Sequence, residues 1–126
     1  MRKRLFGVFL ALSLLSPMIA SAHEQPQTAV KIVKTYKAKV SWYKHGQKTA
    51  NGEVFNPNKY TVAHRTLPFG TLVRLTNPET NVKVIARVND RGPFIKGREF
   101  DITVKCAYVL GVKKNGVVTL KIEILG

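Results

Sequence analysis

Cysteine is nearly absent. Cys106 is the single one in 126 residues, so no internal disulfide can form and the fold must rest on its core. Its neighbours Ala107 and Leu110 place the thiol on an apolar helix face, as a buried and inert group rather than a nucleophile. Acidic side chains are also scarce, with 7 against 21 lysines and arginines, a formal net charge of +14. Ligand clusters are lacking too. His23 and His45 have no partners at metal-ligand spacing, so neither a metal nor another cofactor is expected. One long apolar run exists, from residue 5 to residue 20, and Pro17 interrupts it. Its 16 residues are short for a membrane span.

That run reads as a secretory signal peptide over residues 1–22. Arg2, Lys3 and Arg4 form the basic start, and Ala20-Ser21-Ala22 the small-residue cleavage site before His23. No cysteine follows the cleavage site, so the exported protein carries no lipid anchor there and makes no stable membrane insertion. Its place is the periplasm, the cell wall or the medium. Cleavage leaves 104 residues, enough for one small domain, and with Arg2, Lys3 and Arg4 gone 18 basic residues face 7 acidic, a charge of +11. A balance this basic implies a polyanionic neighbourhood. Export argues against nucleic acid, and so does the scatter of Lys31, Lys34, Lys37, Lys39, Lys44 and Lys48 outside any nucleic-acid motif.

Residues 23–35 show little apolar pattern and read as an extension, either a tether or an added edge. From residue 36 the chain reads as one domain to residue 126. Tyr36, Ala38, Val40 and Trp42 alternate with Lys37, Lys39, Ser41 and Tyr43, the period of a half-buried strand. Trp42 falls on the core face with Val40 and Ala38, and Tyr43 on the other, where it can serve as a sugar-stacking platform. A polar stretch through the Asn51-Gly52 turn and Asn56-Pro57-Asn58 leads to Thr61-Val62-Ala63-His64. Residues 71–76 and 82–88 pair as a hairpin around Asn77-Pro78-Glu79-Thr80-Asn81. Thr103 caps a helix over 104–110 that Gly111 ends. Val118, Leu120, Ile122 and Ile124 alternate in a last strand. Five or six short strands and one clear helix predict a small closed or partly closed β-barrel.

Arg87-Val88-Asn89-Asp90-Arg91-Gly92-Pro93 is the most pointed stretch. A strand delivers one carboxylate, flanked by two arginines, to a loop that Gly-Pro terminates. Catalytic groups are often carried on loops that a rigid scaffold positions. A solvated turn capped by Asp90 is the plain alternative.

Taken with Ser41-Trp42-Tyr43, Thr49-Ala50-Asn51-Gly52-Glu53, Ala63-His64-Arg65-Thr66-Leu67-Pro68-Phe69-Gly70-Thr71 and Phe100-Asp101-Ile102, this stretch resembles the rare lipoprotein A (RlpA)-like family. The resemblance covers about residues 40–125. It implies a mainly-β fold, a six-stranded double-psi β-barrel with one or two short helices. It also implies a secreted lytic transglycosylase acting as a monomer on peptidoglycan glycan strands, with a preference for strands free of stem peptides. The matching polar positions are Glu53, His64, Asp90 and Asp101, and an aspartate at the place of Asp101 is the general acid in related barrels. Such an enzyme needs one protonated acid, because the sugar's own C6 hydroxyl attacks and leaves a 1,6-anhydro end. This differs from the two-carboxylate scheme of glycoside hydrolases.

The acid's pKa must be raised for work near neutral pH. Asp101, between Phe100 and Ile102, has the more apolar sequence neighbours, whereas Asp90 is flanked by cations if Arg87 and Arg91 reach it. The expected catalytic set is therefore Asp101, Asp90 and His64, with Glu53, Tyr43 and Arg91 holding substrate. A structural role for Asp101, for His64 as a core histidine, or for Glu53 as a turn residue is the alternative in each case. The chain departs from the family in its short segment 44–48, where relatives carry a longer glycine-rich loop, and in lacking a glycan-binding repeat domain. A non-catalytic, expansin-like wall-binding or wall-loosening module is the second functional reading.

Overall fold

The computed structural model describes residues 30–126. The expected signal peptide and the first part of the extension lie outside the described residues. Among the described residues no helix is long and apolar enough to cross a membrane.

The alternating segments form six strands: β1 (Ile32–Tyr43), β2 (Thr61–His64), β3 (Leu72–Thr76), β4 (Lys83–Asp90), β5 (Phe100–Thr103) and β6 (Val117–Leu125). Among the described residues the one helix, α1 (Val104–Leu110), lies between β5 and β6. The strands close into a barrel in the order β1-β5-β2-β4-β3-β6. The β1–β5 and β2–β4 pairs are parallel. The other four pairings are antiparallel. Closure leaves no long open edge for a second chain to pair with. The architecture is the mainly-β double-psi barrel that the motifs implied.

Period-two patterning explains which side chains fill it. On β1, Ala38 and Val40 are buried while Lys37 and Lys39 are exposed. On β4, Val84, Ala86 and Val88 face in while Lys83 and Ile85 face out. Val40, Val62, Val73, Leu75, Val88, Phe100, Ile102, Leu120 and Ile122 meet inside with almost no exposure. With no disulfide, this packing carries the stability, and Leu75→Ala would cost about 2–5 kcal/mol.

Helix α1 seals one side of the core with Cys106, Ala107 and Leu110. The Thr103 hydroxyl accepts the Cys106 N–H and donates to the Lys59 carbonyl. Gly111, at φ 75°, takes the left-handed conformation that ends the helix. Burial pushes the Cys106 thiol above its ordinary pKa, as expected of an inert core group.

Two boundaries differ from the sequence pattern. Residues 32–35 are the outer end of β1, with Lys34 opposite Ile124 and Thr35 opposite Glu123, so this part of the extension is an added edge rather than a tether. Strand β4 runs on to Asp90 instead of ending at Val88, because Asn89 is accommodated as a bulge. Val62 pairs with Val88, yet the next residue, Ala63, pairs with Asp90.

Candidate active site

The bulge decides where Asp90 points. Val88 faces the core, so strict alternation would turn Asp90 inward as well. One extra residue on β4 reverses that phase and aims Asp90 outward beside Ala63. Ala63 is in turn opposite Asp101, Asp101 opposite Ser41, and Ser41 opposite Val117. A single row therefore crosses five strands: Asp90, Ala63, Asp101, Ser41, Val117. The two aspartates lie one strand to either side of Ala63, their backbones about 10 Å apart at the usual strand spacing. The small Ala63 side chain leaves the space between them open.

A cleft of about 380 Å³ covers the Asp90–Asp101 part of the row. Tyr43 and Phe55 stand on one side, their rings 4.7 Å apart. On the other side the chain turns sharply at Gly92, whose φ of 119° lies in the left-handed region that favours glycine. The turn presents Phe94 and Ile95, 78% and 52% exposed, on the rim.

The aspartates differ in how fully they are engaged. Asp90 accepts the N–H groups of Ala50 (2.8 Å) and Arg91 (2.9 Å) on Oδ1 and the Tyr43 hydroxyl (3.2 Å) on Oδ2. Asp101 accepts one hydrogen bond among the described residues, from the Ser41 hydroxyl to Oδ1. Its Oδ2 is left for the cleft. Burial pushes the Tyr43 phenol well above its ordinary pKa, and the charges of Asp90 and Asp101 add to that, so Tyr43 remains a donor.

The arginines on either side of Asp90 do not reach it. Arg87 forms a two-point ion pair with Glu53 at 2.6 and 3.0 Å. The Arg91 guanidinium donates to the carbonyls of His64 (3.1 Å) and Leu67 (2.8 Å) and lies 3.9 Å from the centre of the Phe69 ring. Arg91 serves the site through its backbone N–H, and its side chain knits the cleft wall together. Phe100 and Ile102 likewise point into the core, on the face opposite Asp101. The apolar sequence neighbours of Asp101 do not surround its carboxyl group.

His64 and Glu53 lie apart from the aspartates. His64 follows Ala63, so it faces inward at the barrel mouth, its ring 4.7 Å from Phe100. Its Nδ1 accepts the N–H groups of Thr66 (3.1 Å) and Leu67 (3.0 Å). The proton therefore sits on Nε2, which faces Glu99 Oε2 at 3.2 Å; the Tyr36 hydroxyl donates to the same oxygen. Burial lowers the His64 pKa, against the opposing pull of Glu99, and keeps the imidazole neutral. Glu53 lies in a separate groove with Thr61, Arg87 and Asn89. Hydrogen bonds from Arg87, then Asn89 and Asn51, bring its carboxyl pKa down to about 2.

The cleft thus unites Asp101, Asp90 and Tyr43 and excludes the side chains of His64 and Glu53. Ser41 and Ala63 gave no chemical signal in the sequence, since their part depends on register alone. Phe94 and Ile95 did leave one, as two apolar residues in a loop that is otherwise polar.

A family model described as "Lytic transglycolase" matches residues 35–122. The probable endolytic peptidoglycan transglycosylase RlpA of a Nostoc strain is 52% identical over 81 residues, 64% of this chain and 22% of that protein. The endolytic peptidoglycan transglycosylase RlpA of Rickettsia bellii is 50% identical over 91 residues, 68% of this chain and 40% of that protein. Its Campylobacter jejuni namesake is 39% identical over 102 residues, 79% of this chain and 37% of that protein. The chain therefore matches less than half the length of these curated relatives. Among solved structures, the Streptomyces papain inhibitor superposes with a TM-score of 0.63 at 17% identity, covering 78% of this chain and 100% of that one. The Clavibacter michiganensis expansin gives 0.61 at 16%, covering 74% of this chain and 51% of that one. Those two likenesses show a shared fold. The family match, which spans most of the barrel, together with relatives near 50% identity, shows that the chain belongs to the RlpA-like lytic transglycolase family of double-psi β-barrels.

Proposed function

We propose that this barrel is an exported, monomeric lytic transglycosylase that cleaves the bond between N-acetylmuramic acid and N-acetylglucosamine in peptidoglycan glycan strands. Asp101 is its general acid. The observation that carries this reading is the unequal engagement of the two carboxylates: Asp90 has three donors on its two oxygens, whereas Asp101, on the wall of an open cleft, has no donor on Oδ2 among the described residues. The names of the relatives in Nostoc, Rickettsia and Campylobacter support the substrate class and action outside the cytoplasm.

Asp101 donates its proton to the glycosidic oxygen as the bond from that oxygen to C1 of the muramic acid breaks. The C6 hydroxyl of the same sugar adds to C1 and closes the 1,6-anhydro ring. Its proton passes to the Asp101 carboxylate, which restores the acid. No water is consumed, and no protein nucleophile is required. Asp90 ties the Ala50 turn and Tyr43 together beneath the substrate, and Phe94 and Ile95 offer an apolar surface to sugar faces at the rim.

A second reading is a wall-binding module. It draws on the short segment between Tyr43 and Thr49, which leaves this side of the cleft with less loop to grip glycan. Digestion of purified sacculi, read by mass spectrometry, separates the two. New 1,6-anhydro ends support the enzyme. Retention on sacculi without soluble products supports the binder.

A further inference from the structure

The row of side chains does not stop at Asp101. Ser41 and Val117, its next two members, line a second groove of about 350 Å³ together with Trp42, Arg98, Lys113 and Lys114. This groove continues the cleft across β1 and onto β6. Val117 is two strands from Asp101, about 10 Å along the barrel surface. The electrostatic character changes over that distance. On the Asp90 side the row carries both carboxylates of the cleft. On the Val117 side three cations converge, and among the described residues none of them has an ion-pair partner.

The glutamates among the described residues are engaged elsewhere or lie outside the groove. Glu53 is bound to Arg87, Glu123 to Arg74, and Glu99 lies between Tyr36 and His64. Glu79 sits in the β3–β4 turn, outside the groove. The indole N–H of Trp42 donates to the Lys113 carbonyl at 3.1 Å, which fixes the 113–116 turn against β1 and holds the two lysines at the groove. A guanidinium beside two ammonium groups is a donor set for a carboxylate: arginine presents a planar fork, and lysine adds compact charge.

We propose that this groove is a subsite for the carboxylate-bearing sugar units of the strand that occupies the cleft. The proposal rests on the glycan-binding reading above and adds a second contact to it. Acidic units recur once per disaccharide along such a strand, so while one muramic acid lies at Asp101 the carboxylate of a neighbouring unit sits over Arg98, Lys113 and Lys114.

The test is a binding titration with soluble glycan oligomers whose muramoyl carboxylates are free, and with the same oligomers converted to methyl amides. It is run with the purified protein carrying Asp101→Asn, so that nothing turns over. Free-acid oligomers should bind about tenfold more tightly than the amides, as expected for charge-assisted hydrogen bonds. The preference should weaken with salt. Adding Lys113→Glu and Lys114→Glu should remove it. Adding Lys83→Glu and Lys121→Glu, which make the same charge change away from the groove, should leave it within about twofold. Equal binding of acid and amide, or equal loss in the two double-lysine variants, would overturn the subsite. Binding is read without cleavage, so an inactive wild-type protein would refute the catalytic reading and leave this one standing.

Discussion

Ala63 and His64 are consecutive residues, yet they belong to two polar sites with opposite properties. Ala63 faces out, into a cleft between two aspartates. His64 faces in, toward a carboxylate that also accepts the Tyr36 hydroxyl. The inner group of Tyr36, Glu99 and His64 has the residue types of a proton-transfer site, but its bonds are committed. His64 Nδ1 folds the 65–67 turn, Arg91 docks on that turn's carbonyls, and Arg65 holds the carbonyls of Pro93 (3.0 Å) and Arg98 (2.6 Å). The inner site supports the wall of the outer one. Under the function proposed here, chemistry falls to the group whose bonds are incomplete, Asp101.

The largest effect should come from Asp101→Asn. Loss of a general acid lowers the rate of anhydro-end formation by about 10²–10⁴-fold, with retention on sacculi unchanged. Asp90→Asn should cost less, roughly 10- to 100-fold, the kinetic equivalent of one lost hydrogen bond to a charged group. Product analysis over time on one batch of sacculi would rank the two.

Substitutions at His64 sharpen the contrast. Asparagine places an acceptor at the same branch position as Nδ1, whereas glutamine places it one atom further out. His64→Asn should keep activity within about threefold, and His64→Gln should lose about 1–3 kcal/mol of stability by stranding two N–H groups. Chemical denaturation and product assays on both variants would check this. The acid dependence follows from the same group. Its pKa is lower in the folded protein than the ordinary 6.5, so its contribution is complete above that value and is lost as pH falls toward the folded pKa. Thermal melts of wild type and His64→Asn between pH 7 and pH 5 should diverge in that direction, the wild type losing more.

The smallest effect belongs to Glu53→Gln, less than about 1 kcal/mol at neutral pH, as for other exposed ion pairs. Glu53 is held at about 2 against an ordinary 4.5. Its contribution is therefore present above 4.5 and lost as pH falls toward 2. The variant should show a flatter stability profile in acid than the wild type.

Much of this architecture was legible in the sequence, because local pattern dictates it. The alternation along β1, β4 and β6, the hairpin around residues 77–81 and both caps of α1 need only near neighbours. The site itself depends on long-range register. Nothing local signals that Asn89 bulges, and without the bulge Asp90 would face the core. The apolar residues beside Asp101 look decisive along the chain, but alternation sends them into the core, and the arginines beside Asp90 are taken up by Glu53 and by the carbonyls of His64 and Leu67. Lys113-Lys114 reads as a plain turn until β6 is laid beside β1.

The most direct test sets Asp101→Asn against His64→Asn on the same sacculi, with folding of both confirmed by circular dichroism and 1,6-anhydro ends counted by mass spectrometry. The account predicts that the first loses the product and the second keeps it. A folded His64→Asn without product, or an Asp101→Asn variant that still forms it, would contradict the assignment of chemistry to the outer row.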